Sequence, residues 1–240
     1  MVGKYKVMAH RGDRDQGMEN TLTSIRAALA KKVDIIEIDV RMTRDGAFYL
    51  FHDPGLKRLT NLKGWMATKK AKHLKDIRLK NGAMIPTIDE VFKLVSKSKA
   101  TIQFDLKDFL VGLFNATKFV KLIKKYKMEK RVIISSFNWR LIKKFHKLNP
   151  KLYLCLYSLL PLKRTISRAK KYGAQAVGSE YLTARFIKRA HEEGLQVVCW
   201  KIRSEEKLKW LLKHKVDVLG SGSPDSVKEL ILYYMKEGGF

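Results

Sequence analysis

The sequence predicts an α/β protein built as one barrel of parallel strands with crossover helices. Strand-like and helix-like segments alternate along the chain, as parallel strands require, because each return to the same edge needs a crossover. Eight segments qualify as barrel strands, with helices fitting between most of them. The 240 residues suit one large α/β barrel or two small domains. No linker or internal repeat is evident, so the chain reads as a single domain over 1–240.

The first strand is Lys6 to His10, and Thr21 starts a helix that runs to Lys32. Ile35 to Val40 is the second strand, an apolar run broken by two acids. Asp45-Gly46 is a two-residue hairpin signal. Phe48 to His52 therefore reads as an antiparallel return outside the barrel count, bringing His52 back to the end that carries Glu37. The polar, Gly-containing segment 53–86 reads as a short insertion of loop and short helices. A helix at Ile88 to Ser96 then precedes the strand Thr101 to Leu106, and one at Leu113 to Tyr126 precedes Val132 to Ser135. Trp139 to Leu148 leads to the strand Leu152 to Tyr157, and Leu162 to Tyr172, stopped by Gly173, leads to Ala176 to Gly178. Thr183 to Glu193, stopped by Gly194, leads to Val197 to Trp200, and Glu205 to His214 leads to the last strand, Val216 to Leu219.

Side chains alternate across a strand, so Glu37 and Asp39 share one face of an apolar segment. Two carboxylates that close require a cation or a shared proton. His10-Arg11-Gly12 ends the first strand, His52-Asp53 ends the hairpin strand, and Asp105 and Lys107 repeat the i, i+2 spacing at the end of another. Packing alone rarely demands histidines, carboxylates and cations gathered at strand ends, which is where α/β barrels carry their chemistry. Glu37, Asp39 and Asp105 offer only oxygen, which suits Mg²⁺ or Ca²⁺ better than zinc.

Composition narrows the partners. Fifty Lys and Arg against 23 Asp and Glu give a net charge of +27. Much of the lysine lies at helical spacing, where a solvated helix face is the plain explanation, yet the excess also favours anionic partners. A phosphate substrate, an anionic membrane and nucleic acid all qualify, and the last has no binding motif here. No apolar run reaches the ~18 residues of a membrane span, and the N-terminus lacks a signal-peptide core, so a cytoplasmic protein is expected. Cys155 and Cys199 sit inside apolar runs and are expected as buried thiols. His73, His146, His191 and His214 fall in helical or insertion segments and are expected to face solvent.

The motifs His10-Arg11-Gly12, Glu19-Asn20-Thr21-Leu22, Glu37-Ile38-Asp39-Val40, Thr43-Arg44-Asp45-Gly46, His52-Asp53 and Ile85-Pro86-Thr87, in that order, strongly resemble the glycerophosphodiester phosphodiesterases. Weaker matches follow at Ser136-Phe137, Val198-Cys199-Trp200 and Val216-Asp217. The resemblance implies a TIM (β/α)8 barrel with a short insertion after the second histidine. It also implies hydrolysis of a phosphodiester to glycerol phosphate or a related phosphomonoester plus an alcohol. His10 and His52 would move the protons, one activating the attacking hydroxyl and the other protonating the leaving alcohol. Arg11 and Lys107 would bind phosphate, and Trp200 would line the substrate pocket. Glu19 joins Glu37, Asp39 and Asp105 as an expected metal ligand, although Glu19-Asn20-Thr21 also reads as a helix cap.

The chain departs from the family pattern at Met18, in place of a usual proline, and Val33, in place of a usual glycine, which read as local packing changes, and in two places that bear on the site. Asp105 stands where glutamate is usual, one methylene shorter, and Ser221-Gly222-Ser223-Pro224 lacks the acid of the usual Thr-Asp-x-Pro. Two apolar stretches, Phe109 to Phe114 and Leu159 to Leu162, follow strand ends and make a lysophospholipid substrate and peripheral contact with an anionic membrane an expectation beside a small soluble diester. The rival is a non-catalytic basic barrel that binds anionic lipid or nucleic acid. The oligomeric state has no sequence signal.

Overall fold

The computed structural model describes residues 5–107 and 114–237. Its barrel strands are β1 (Lys6–His10), β2 (Ile35–Met42), β4 (Thr101–Leu106), β5 (Val132–Ser136), β6 (Tyr153–Tyr157), β7 (Ala176–Gly178), β8 (Gln196–Cys199) and β9 (Val218–Ser221). They pair in parallel in the order β1-β9-β8-β7-β6-β5-β4-β2, and the β1–β2 pairing closes the ring. The short strand β3 (Phe48–Leu50) pairs antiparallel with β2. The turn before it is the Asp45-Gly46 hairpin, with Gly46 at φ +77°.

Between the strands lie α1 (Leu22–Ala30), α2 (Ile88–Val95), α3 (Ala116–Lys125), α4 (Trp139–Leu148), α5 (Lys163–Lys171), α6 (Ala184–Glu192) and α7 (Glu205–Lys213). Thr21 caps α1 from outside it, its Oγ1 accepting from Ser24 N at 3.2 Å while Ser24 Oγ accepts from Thr21 N. Gly173 and Gly194 stop α5 and α6 in the left-handed conformation. An eighth helix, α8 (Pro224–Lys236), has no counterpart in the sequence-based assignment. Pro224 opens it and buried Val227, Ile231 and Tyr234 recur at helical spacing, which is the signal that marks it.

Strand alternation divides the interior. On β2, Ile36, Ile38 and Val40 face the helices, within the large core between barrel and helices. Ile35 faces the barrel interior with Met8, Cys155, Ala176, Val198 and Val218. Glu37, Asp39 and Arg41 continue that inward side toward the carboxyl ends of the strands. The register sets His10 level with Glu37 and Asp39 level with Asp105. Between β3 and α2 the chain makes two 3-10 turns, Met66–Thr68 and Ala71–His73, over a satellite core of Phe51, Leu56, Met66, Leu74 and Ile85. Among the described residues no helix is long and apolar enough to cross a membrane.

His73 and His191 are exposed, but His146 and His214 are half-buried rather than solvent-facing. His214 Nδ1 lies 2.7 Å from the carbonyl of Trp210, one turn earlier, and the His146 ring packs on Gly173 where a side chain would overlap it. His146 thus sits against the turn that ends α5, and His214 against its own helix.

Cys155 and Cys199 are free and fully buried, and burial pushes both thiols up, Cys199 to about 12. A thiol needs both access and ionisation to react. At pH 8 a disulfide reagent should therefore label neither cysteine in the folded protein and both in denaturant. Rapid labelling of the native protein would contradict this packing.

Candidate active site

Three carboxylates define the floor of the site. Glu37, Asp39 and Asp105 are buried, and one oxygen from each lies within 4.8 Å of the others. Burial first, then the charges of Asp39 and Asp105, push Glu37 well above the usual carboxylate range. Burial also opposes charge on Asp39, but Lys107 and Arg11 overcome it and hold that carboxyl low. Lys107 Nζ is 3.1 Å from Asp39 Oδ1 and 2.5 Å from Asp105 Oδ2, so an ammonium stands among the acids. Burial raises Asp105 against the pull of this lysine.

Asp39 is fixed from the β1–α1 loop. Asn20 Nδ2 donates to Asp39 Oδ2 at 2.8 Å, and Asp39 N donates to Asn20 Oδ1 at 2.9 Å. Asn20 holds φ +57°, a left-handed conformation that asparagine tolerates better than most residues. Asp39 Oδ1 is buried and has the Lys107 ammonium, at 3.1 Å, as its ion-pair partner.

The end of β1 turns sharply because Arg11 and Gly12 both adopt positive φ, 63° and 79°. Gly12 is required there, since a Cβ would overlap Ser24. The turn lets Arg11 N donate to Glu37 Oε2 at 2.9 Å while the side chain reaches back, its Nε 3.1 Å from Asp39 Oδ2 and its Nη1 3.1 Å from both oxygens of Glu19. Glu19 therefore stands apart from the three clustered acids. Its other partner is Arg58 of the segment after β3, at 2.5 Å, which also grips Asp53.

The two histidines face the same cavity from opposite supports. His52 Nδ1 lies 2.7 Å from Asp53 Oδ1, an arrangement that orients the ring. Burial lowers its pKa and Asp53 opposes that. His10 Nε2 is 3.9 Å from Glu37 Oε2, and its buried Nδ1 has no hydrogen-bond partner. Burial first, then the Arg11 charge, press its pKa well below the usual histidine value. Arg41, at the inward end of β2, braces this rim by donating to the carbonyl of His52 from Nε and to that of Lys107 from Nη1, each at 2.8 Å.

The cavity has a volume of about 330 Å³. His10, Arg11, Glu37, His52, Asp105 and Lys107 form its polar side, and Phe137, Tyr157 and Trp200 form an aromatic wall. Tyr157 and Trp200 are 4.2 Å apart between ring centroids, and Phe137 meets both edge-on at 5.6 and 5.7 Å. Gly178 makes room for Tyr157, whose ring a Cβ there would strike at 2.6 Å. Glu180 and Lys201, paired at 3.4 Å, complete the mouth.

The residues read from the sequence thus converge, with Asp39 just beneath the cavity and Glu19 behind Arg11. Arg41, Arg58, Tyr157, Glu180 and Lys201 join the site with no motif to mark them, and Asn20 and Asp53, which lie within quoted motifs, join it as supports of Asp39 and His52. Gly222, where the resemblance expects an acid, backs the guanidinium of Arg14. Of the two apolar stretches, Leu159 and Leu160 are 65% and 60% exposed, and Phe114 is buried. Phe109 to Leu113 lie outside the described residues.

Residues 10–226 match the glycerophosphoryl diester phosphodiesterase family. A glycerophosphodiester phosphodiesterase of Caldanaerobacter subterraneus is 29% identical over 95% of this chain and 98% of its own length. One of Bacillus altitudinis is 30% identical over 92% of this chain and 95% of its own. Among solved structures, an Oleispira antarctica phosphodiesterase in complex with the product sn-glycerol-3-phosphate superposes with a TM-score of 0.87. It is 23% identical and covers 94% of this chain and 96% of its own, a likeness of fold.

The clamp between Asn20 and Asp39 has a measurable cost of removal. Asn20→Ala leaves a buried backbone N–H and a buried carboxylate oxygen short of a partner, a penalty of about 1–3 kcal/mol. Denaturant unfolding should show a loss of that size, and an unchanged midpoint would mean that the clamp contributes nothing.

Proposed function

The chain belongs to the glycerophosphoryl diester phosphodiesterase family, and from that premise we propose that it cleaves a glycerophosphodiester into a phosphomonoester and an alcohol through His10 and His52. One observation carries the reading. Both histidines, Arg11 and Lys107 line a single cavity whose floor includes Glu37 and Asp105. A diester phosphate anchored there would meet a guanidinium fork and an ammonium, which neutralise the oxygens that gather charge during displacement.

The three acids suit a hard cation. Their donors are all oxygens within 4.8 Å of one another, and an ammonium already stands among them, 3.1 Å from Asp39 Oδ1 and 2.5 Å from Asp105 Oδ2. Mg²⁺ or Ca²⁺ held by Glu37, Asp39 and Asp105 would polarise the phosphate and offset their mutual repulsion. Glu19 is assigned here to holding Arg11 and Arg58 in place rather than to the metal. Lys107 and Arg11 keep Asp39 ionised, and Arg11 spans the acids and the cavity. One histidine takes the proton of the attacking hydroxyl, from water or from the neighbouring glycerol, and the other gives a proton to the leaving alcohol. Asp53 holds the His52 ring with Nδ1 turned away from the cavity, leaving Nε2 for that transfer.

A lysophospholipid is a second reading. Leu159 lines the cavity and, with Leu160 and Tyr181, forms an exposed apolar rim on the same face as the reactive groups. That rim fits an acyl chain or the surface of an anionic membrane, where the excess of lysine would assist.

Glycerophosphocholine turnover should require Mg²⁺ or Ca²⁺, stop in chelator, and fall by roughly 10²–10⁴-fold in His10→Ala and in His52→Ala. The cation should also raise the melting temperature of the parent protein but not of an Asp39→Asn, Asp105→Asn variant. If polyanions bind the parent and both histidine variants alike and no diester is cleaved by any of them, the protein is a basic binding barrel instead.

For the lipid reading, lysophosphatidylcholine should be cleaved beside glycerophosphocholine. Leu159→Ser with Leu160→Ser should slow only the lipid, by about ten-fold, given the apolar area removed. Equal slowing of both substrates, or of neither, removes the rim from the function.

A further inference from the structure

Beyond His10 and His52 the active-site cavity opens into a second cleft of about 320 Å³. The two share His10, Arg11, His52 and Lys201, so a single extended ligand can occupy both. The wall of the outer cleft is strongly basic: Arg14, Arg58 and Arg203 join Arg11 and Lys201, and Asp53 is its one acid. Three of these cations have partners. Arg11 pairs with Glu19 and Asp39, Arg58 with Asp53 and Glu19, and Lys201 with Glu180. Arg14 and Arg203, both exposed, have no ion pair among the described residues.

Backbone geometry holds Arg14 in this position. Its N–H donates to the carbonyl of Gly222 at 2.9 Å, and its guanidinium lies so close over Gly222 that any Cβ there would collide with it. The missing side chain at 222 thus leaves the space in which this guanidinium lies. Its charge reaches inward as well, adding to the forces that press the proton off His10. Two unpaired guanidinium groups at the mouth of a concave cleft make a planar, multidentate site for phosphate oxygens. The same wall gives nothing to a cationic head group such as choline.

We propose that this outer cleft is a second phosphate subsite, and that the preferred substrate is a glycerophosphodiester whose alcohol carries a further phosphate. The proposal rests on the phosphodiesterase reading of the inner cavity. With the scissile phosphate at Arg11 and Lys107, the remainder of the alcohol passes His10, His52 and Lys201 and sets its own phosphate between Arg14 and Arg203.

Glycerophosphoglycerol and bis(glycerophospho)glycerol differ by one glycerol phosphate and provide the test. At low salt the doubly charged compound should be cleaved with a kcat/KM about ten-fold or more above the other, from two charge-assisted contacts. Having two scissile bonds accounts for only about two-fold of that. The ratio should collapse to about two in an Arg14→Ser, Arg203→Ser variant, and in Gly222→Asp, where a new side chain displaces Arg14 and a carboxylate neutralises it. A parent ratio near two, or one that persists in these variants, overturns the subsite. If neither compound is cleaved, the phosphodiesterase reading fails by itself, and calorimetric titration with inorganic pyrophosphate reads the cleft directly. Binding that weakens about ten-fold in Arg14→Ser, Arg203→Ser supports the subsite, and unchanged binding overturns it.

Discussion

Three carboxylates buried on two neighbouring strands are the constraint around which this molecule is organised. Glu37, Asp39 and Asp105 cannot all carry charge in a dry barrel unless cations are held against them. Arg11 and Lys107 supply two, and each is placed by backbone geometry rather than by a flexible reach alone. Arg11 comes from a left-handed turn that only Gly12 lets the chain complete, and Lys107 comes two residues after Asp105 on the same side of its strand. The positive residues that bind the acids are also those that face the cavity, so neutralising the floor and presenting cations to the cavity are one arrangement.

That arrangement makes the barrel asymmetric. The strands β1, β2 and β4 carry the ionised groups, whereas β6 and the ends of β5 and β8 bring Tyr157, Phe137 and Trp200. Aromatic walls exclude water on one side and leave the charged side to do the polar work. The segment after β3 links the two functions of the charged side. Its Arg58 joins Asp53, which orients His52, to Glu19, which holds Arg11, so the second histidine and Arg11 share one network of ion pairs.

The parts of this design that were legible in the sequence are those fixed by local periodicity. Alternation within a strand put Glu37 with Asp39 and Asp105 with Lys107, and the Asp45-Gly46 turn returned His52 to the same end. Contacts that depend on tertiary pairing left no such trace. Arg41 lies just past the expected end of its strand, but β2 runs on to Met42, which turns Arg41 inward as a brace between the carbonyls of His52 and Lys107. Glu19 shares a motif with the clustered acids, yet Arg58, 39 residues away, draws it aside. Tyr157 read as one more apolar strand residue because nothing local tells an aromatic ring inside a barrel from one beneath a helix. The final helix follows the last strand, where closing the ring of strands requires no further crossover, and Pro224 with the spacing of Val227, Ile231 and Tyr234 encodes it locally.

In the proposed outer subsite, Arg14 and Gly222 make the loss of a side chain a gain of binding surface rather than only a loss of contact. Read alone, a glycine in place of an expected acid suggests a weakened substrate contact. In three dimensions the guanidinium of Arg14 takes the space that a side chain at 222 would fill, so a cation stands where the resemblance expects an acid. The general excess of +27 does not select a ligand, because most of it lies on helix faces in water, where salt screens it within about 8–10 Å. Charge inside a concave cleft is screened less and holds a fixed direction. With the proposed subsite, selectivity would rest on the few cations that the loops hold at the cleft, and Arg14 is among them where position 222 has no side chain to occupy its place.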